Sequence, residues 1–163
     1  MTIFGTIMKS EDAHSDESSP IRILVVEDVP NVATVLKARL ESYGYEVCGL
    51  ANTAPKAIAG AVEHQPDLIL MDILLKGKMN GIEAAKRINA RMDIPIIYLS
   101  CLNDQEVLDR AIKTNPYGFI LKPYDNAELR FSIENALIKH REARAREARI
   151  KELERGKTTT GSG

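Results

Sequence analysis

The stretch Pro66-Asp67-Leu68-Ile69-Leu70-Met71-Asp72-Ile73 limits the fold more than any other part of the chain. Four consecutive apolar residues run straight into the carboxylate of Asp72. An apolar run without polar alternation suits a strand buried on both faces of a parallel sheet. In such sheets, sites form outside the carboxyl ends of the strands, where Asp72 falls. A second run, residues 21–26, ends the same way, in Glu27-Asp28. Two central strands that finish in carboxylates make a negative cluster, and that cluster needs a counter-charge.

The pattern around these runs alternates strand and helix five times. Strands are expected over 21–26, 45–50, 94–99 and 118–121, with another opening after Pro66-Asp67. Helices are expected over 30–43, from Asn52 or Thr53 to about 65, over 82–90 and 105–113, and from about Asn126. In the first helix Asp28 is placed as cap, Pro30 in the first turn, and Val32, Val35, Leu36 and Leu40 as the inward stripe. In the second, Ala57, Ile58, Ala61 and Val62 face inward. Right-handed crossovers then give a parallel sheet covered by helices on both faces. The loop 74–81 carries Gly77 and Gly81, which permit unusual backbone angles.

The outer segments read differently. Residues 1–20 form a disordered lead-in, mildly apolar over 1–8 and polar and acidic over 9–20, containing the lone His14, with Met8 as an alternative start to Met1. Residues 139–155 form a charged helical extension that includes His140 on its solvated face, and residues 156–163 a flexible tail. The spacing of Ile133, Ala136, His140, Ala143, Glu147 and Ile150 is too polar for a coiled coil on pattern alone. Cys48 and Cys101 read as small buried hydrophobes in a reducing compartment.

Composition narrows the function. One domain suits 163 residues. A net charge of -1, no Trp and only 5% aromatic residues speak against nucleic acid as a partner. No segment is long and apolar enough to span a bilayer, and no secretory leader is apparent, so a cytoplasmic location and no membrane partner are expected. A dinucleotide site would need a glycine-rich turn after the first strand, where Glu27-Asp28 would instead repel a pyrophosphate.

Strands one, three, four and five each deliver one polar feature at the carboxyl end: Glu27-Asp28, Asp72, Ser100 and Lys122. Taken singly, Asp28 reads as a helix cap, Ser100 as a strand end and Lys122 as a surface lysine. Taken together they form a site. Crowded carboxylates repel, and an all-oxygen ligand set suits a hard cation such as Mg²⁺, with Mn²⁺ as a substitute. The chemistry inferred is magnesium-assisted phosphorylation of Asp72. Lys122 would hold transferring oxygens and Ser100 would donate one hydrogen bond.

Leu24-Val25-Val26-Glu27-Asp28, the 66–73 run, Tyr98-Leu99-Ser100 and Gly118-Phe119-Ile120-Leu121-Lys122-Pro123 together resemble the receiver domain of two-component response regulators, of the lone-receiver type, over residues 21–138. The resemblance implies a flavodoxin-like, doubly wound α/β fold of strand order 2-1-3-4-5. It implies Asp72 as phosphoacceptor from a sensor histidine kinase or phosphotransfer protein, and Mg²⁺ held by Glu27, Asp28, Asp72 and the backbone carbonyl of Leu74. Ser100 and Lys122 would grip the phosphoryl group. Ser100 and Phe119 would switch the face formed by the fourth helix, fifth strand and last helix toward a downstream protein target, and Lys122-Pro123 would be a cis bond. That face, or the C-terminal helix, would carry any homodimer. Leu74 and Leu102 lie where the family controls access of hydrolytic water, which implies a persistent phosphoryl-aspartate. Two alternatives stay open: a receiver-like scaffold working without phosphorylation, and a Mg²⁺-dependent phosphohydrolase. The second is weakened by Leu74, which stands where an acid/base carboxylate would be wanted. Beyond self-phosphorylation and dephosphorylation, no enzymatic turnover is expected.

Overall fold

The computed structural model describes residues 19–101 and 104–159. The lead-in through residue 18, with His14 and both candidate starts, lies outside the described residues, as does Leu102. Five strands, β1 (Arg22–Val26), β2 (Glu46–Ala51), β3 (Leu68–Asp72), β4 (Ile96–Ser100) and β5 (Gly118–Leu121), form one parallel sheet of order 2-1-3-4-5. Between and after them run α1 (Pro30–Ser42), α2 (Ala54–His64), α3 (Gly81–Asn89), α4 (Gln105–Ile112) and α5 (Asn126–Thr159).

Alternation along the strands sorts side chains to the two faces. Leu24, Val26, Ile69, Met71 and Tyr98 pack with Ala57, Ala61, Ile82, Ala85 and Ile88 of α2 and α3. Ile23, Val25, Leu68, Leu70 and Leu99 pack with Leu36 and Leu40 of α1 and with Leu129 and Ile133 of α5. β3 is buried along its whole length, as expected for a central strand with helices on either side.

Several expectations change. In α1 the buried stripe is Ala33, Leu36 and Leu40, while Val32 and Val35 face solvent at 40% and 59% exposure. Ala33, Leu36 and Leu40 lie three or four residues apart on one helix face, and the small alanine is the residue buried there. Val62 of α2 is likewise exposed, and Ala54 takes an inward place. Asp28 does not cap α1: the cap residue is Val29, without a side-chain hydrogen bond. Thr53 does cap α2, accepting from the Lys56 amide. Cys48 is half-buried, but Cys101 is exposed beyond the end of β4. His140 is buried at 9% exposure rather than solvated. It falls on the face of Ile133, Ala136 and Leu137, in register with the stripe that holds α5 to the sheet. α5 is one helix of 34 residues, continuing to Thr159 past the point where the flexible tail was expected.

The two loop glycines serve different needs. Gly77 has φ +115°, the left-handed region that favours glycine. Gly81 opens α3 directly against β3, its amide donating to the Ile73 carbonyl at 2.9 Å. A Cβ there would run into the Asp72 carbonyl oxygen, a backbone atom that cannot step aside. Gly81→Ala is therefore expected to cost about 3 kcal/mol or more, at the severe end of overpacking. Urea unfolding measures this, and a loss under about 0.5 kcal/mol would contradict the close approach.

Candidate functional site

Sheet register brings the polar strand ends to one level. Val26 pairs with Met71, Asp72 with Leu99, and Ser100 with Leu121. Glu27, Asp28, Asp72, Ser100 and Lys122 thus meet at one rim of the sheet. The Lys122 amide continues the β5 pairing by donating to the Ser100 carbonyl at 2.8 Å.

Glu27, Asp28 and Asp72 each offer a carboxylate oxygen, all within 4.8 Å of one another. Glu27 and Asp72 are buried at 3% and 6% exposure. Lys122 Nζ reaches into the group, donating to Glu27 Oε2 at 3.0 Å and lying 3.5 Å from Asp72 Oδ2. Backbone amides hold one further oxygen of each carboxylate. Val29 donates to Glu27 Oε1 at 3.2 Å, Leu74 to Asp72 Oδ1 at 3.1 Å, and Lys76 to Asp28 Oδ2 at 3.3 Å. The Lys76 contact explains why Asp28 is unavailable as a cap: its carboxylate turns to the loop after β3. Three hard oxygen donors with one half-buried member suit a divalent cation that keeps part of its water.

Burial is the main reason the Asp72 carboxyl is pushed up to about 6. Lys122 pulls it back down, and the Glu27 charge adds to the rise. For Lys122, burial opposes the charge, but the Glu27 hydrogen bond and both carboxylates outweigh it and raise the ammonium above its ordinary value. The lysine is thus a fixed positive group.

Ser100 is buried at 1% exposure at the end of β4. Phe119 is half-buried on β5 opposite Tyr98, and the two rings meet edge-on at 6.4 Å. Lys122-Pro123 is cis. Leu74 is 51% exposed at the mouth of the site. Sequence reasoning missed the amides of Val29 and Lys76, which no residue type announces. It also missed Tyr98, fully buried with its hydroxyl 2.7 Å from Thr114 Oγ1, although a tyrosine within an apolar run signals a buried hydroxyl seeking a partner.

The family profile described as the response regulator receiver domain matches residues 23–134. The chain belongs to the response regulator receiver domain family. Among relatives, it is 30% identical over 146 residues to the transcriptional regulatory protein PdtaR of Mycobacterium tuberculosis, covering 90% of this chain and 71% of that one. It is 36% identical to the chemotaxis protein CheY of Thermotoga maritima, covering 63% of this chain and 86% of CheY. Among solved structures, the signal receiver domain of a modulated diguanylate cyclase from Desulfovibrio desulfuricans superposes with a TM-score of 0.72 at 36% identity, over 76% of this receiver and 98% of that one. A CheY-like receiver from Methanospirillum hungatei gives 0.70 at 27% identity, over 77% and 99%.

The buried Asp72 charge makes a stability prediction. In metal-free protein the folded state holds the Asp72 proton more tightly than the unfolded chain does. This contribution favours folding below pH about 4 and is lost as pH rises through about 6. Asp72→Asn removes the ionised group, so its advantage over the parent should grow between those pH values and stay at about 1–3 kcal/mol above them. Urea titrations in a chelator across this range read the difference, and an Asp72→Asn protein less stable than its parent at pH 7.5 would contradict it.

Proposed function

We propose that this receiver accepts a phosphoryl group on Asp72 from the phosphohistidine of a sensor kinase or phosphotransfer protein and then changes its affinity for a downstream protein. The observation that carries the reading is the carboxylate trio, two of its members buried, with the Lys122 ammonium 3.0 Å from Glu27 and 3.5 Å from Asp72.

Asp72 would act as the nucleophile. One carboxylate oxygen forms a bond to phosphorus as the bond from phosphorus to the donor nitrogen breaks, and the imidazole leaves with the electron pair. The Leu74 amide holds the other oxygen of Asp72 and aims the attack. Glu27, Asp28 and Asp72, with the Leu74 carbonyl, would hold Mg²⁺ or Mn²⁺. The bound metal supplies positive charge that lets three carboxylates and a phosphoryl group occupy one pocket. Lys122 would pair with a phosphoryl oxygen, moving from Glu27 toward the new charge, and the Ser100 hydroxyl would donate to another. Self-dephosphorylation by water would return the domain to its starting state.

The switch would run through Ser100 and Phe119 to the face of α4, β5 and α5. Ile112 and Leu121 stand exposed there at 56% and 54%, apolar contacts suited to a protein partner or a second copy. Among the described residues no helix is long and apolar enough to cross a membrane. The proposed setting is the cytoplasm, where kinase phosphotransfer would take place.

Acetyl phosphate with and without Mg²⁺, followed by intact mass, tests the reading. One phosphoryl group should be gained only with the metal, and none in Asp72→Ala. Failure of the parent protein to gain it supports the scaffold instead, and continuous release of phosphate supports a hydrolase. Once formed, the adduct should persist, because Leu74, exposed at the mouth of the site, offers water an apolar side chain with no group to activate it. A half-life at the fast end of the family would overturn that part.

A further inference from the structure

At the end of the sheet opposite Asp72, α5 crosses the turn between α3 and β4. His140 is buried there, and its Nε2 lies 3.1 Å from Asp93 Oδ1, a charge-pair distance without hydrogen-bond alignment. One turn on, Arg144 Nε lies 3.9 Å from Asp93 Oδ2. A single carboxylate on the turn therefore faces two successive turns of the helix. The Tyr117 ring meets His140 edge-on, with centroids 5.5 Å apart and planes at 78°. Asp67 and Arg141 border the same cleft, and Glu147 borders the neighbouring one with Tyr117. Beyond Glu147 the helix runs on to Thr159 with its described side chains exposed. That stalk spans roughly 18 Å.

Tyr117 stands immediately before β5, and its amide donates to Ile96 of β4 at 3.0 Å. β5 has only four residues, and Lys122 follows it directly. Lys122 and Tyr117 are thus the two ends of one short, hydrogen-bonded strand.

We propose that Asp93, His140, Arg144 and Tyr117 form a latch that fixes the root of the stalk, and that β5 releases it when Lys122 turns to a phosphoryl group on Asp72. The release rests on the phosphorylation reading above, whereas the latch itself does not. As Lys122 leaves Glu27 for the phosphoryl oxygen, β5 is drawn toward the site and the Tyr117 ring withdraws from His140. The imidazole then loses its backing, and the contacts to Asp93 loosen together. The output is the freedom of the helix beyond Arg141. Asp93, His140 and Tyr117 are positioning residues, since none of them touches the reacting atoms.

Hydrogen exchange on the full chain, read by mass spectrometry over residues 141–147, tests this. Without phosphodonor, Asp93→Asn should exchange about fivefold faster than the parent. The side chain of Asp93 is 62% exposed, so this variant should fold. With acetyl phosphate and Mg²⁺, the parent should speed up by a similar factor while Asp93→Asn gains nothing further, although intact mass shows one phosphoryl group on each. A modified parent with unchanged exchange overturns the release. An unmodified Asp93→Asn that exchanges like the parent overturns the latch. If no phosphoryl group is gained, the signalling reading fails with the release it supports, and the unmodified Asp93→Asn comparison still decides the latch.

Discussion

The structure depends on keeping three carboxylates together in a pocket that would push them apart. Within 4.8 Å, largely out of water, their mutual repulsion is too strong for side chains alone to manage. The backbone manages it. Each carboxylate is anchored by an amide from a loop that exists because a strand has just ended, and Lys122 supplies a fixed positive charge. Burial first, and the Glu27 charge after it, still push the Asp72 carboxyl up, against the pull of Lys122. A group held this way gains from any added cation or any chemistry that spreads its charge.

The demands on the sheet follow. The register must bring the ends of β1, β3 and β4 level, and the first turn of α3 must lie against the end of β3. Gly81 permits the second by leaving room for the Asp72 carbonyl. The apolar strands give the first: β1, β3 and β4, packed between helices, cannot slip in register without displacing the core residues they carry. Rigidity of the core and precision of the rim have one cause.

That link explains what was legible in the sequence. β3 was readable because a strand buried on both faces must be apolar throughout, and Asp72 stood out because nothing else in the run is charged. Strand order and the identities of Glu27, Asp28, Ser100 and Lys122 followed from the repeat and the family resemblance. Less legible were features set by side-chain size or by contacts across the fold. Val32 and Val35 looked like core because hydropathy ranks valine above alanine, yet close packing selected Ala33. Asp28 looked like a cap because caps are local, whereas its partner is 48 residues away. His140 was hidden by charged neighbours, although its spacing from Ile133, Ala136 and Leu137 placed it on the buried stripe.

The position of His140 bears on how a signal could leave the domain. The strands are short, and their two ends differ in kind. The carboxyl end holds charges under repulsion; the amino end holds aromatic and ionic contacts around the root of a long helix. β5 lies at the sheet edge, paired on one side only, so it can shift with less disruption than β1 or β3, which are hydrogen-bonded on both. It also carries Phe119 at its middle and Lys122 just past its end. A strand that is short, one-sided and tied at both ends to polar groups is the element of this sheet best able to carry a displacement. The central strands, buried almost throughout and doubly paired, serve as the fixed frame against which it moves.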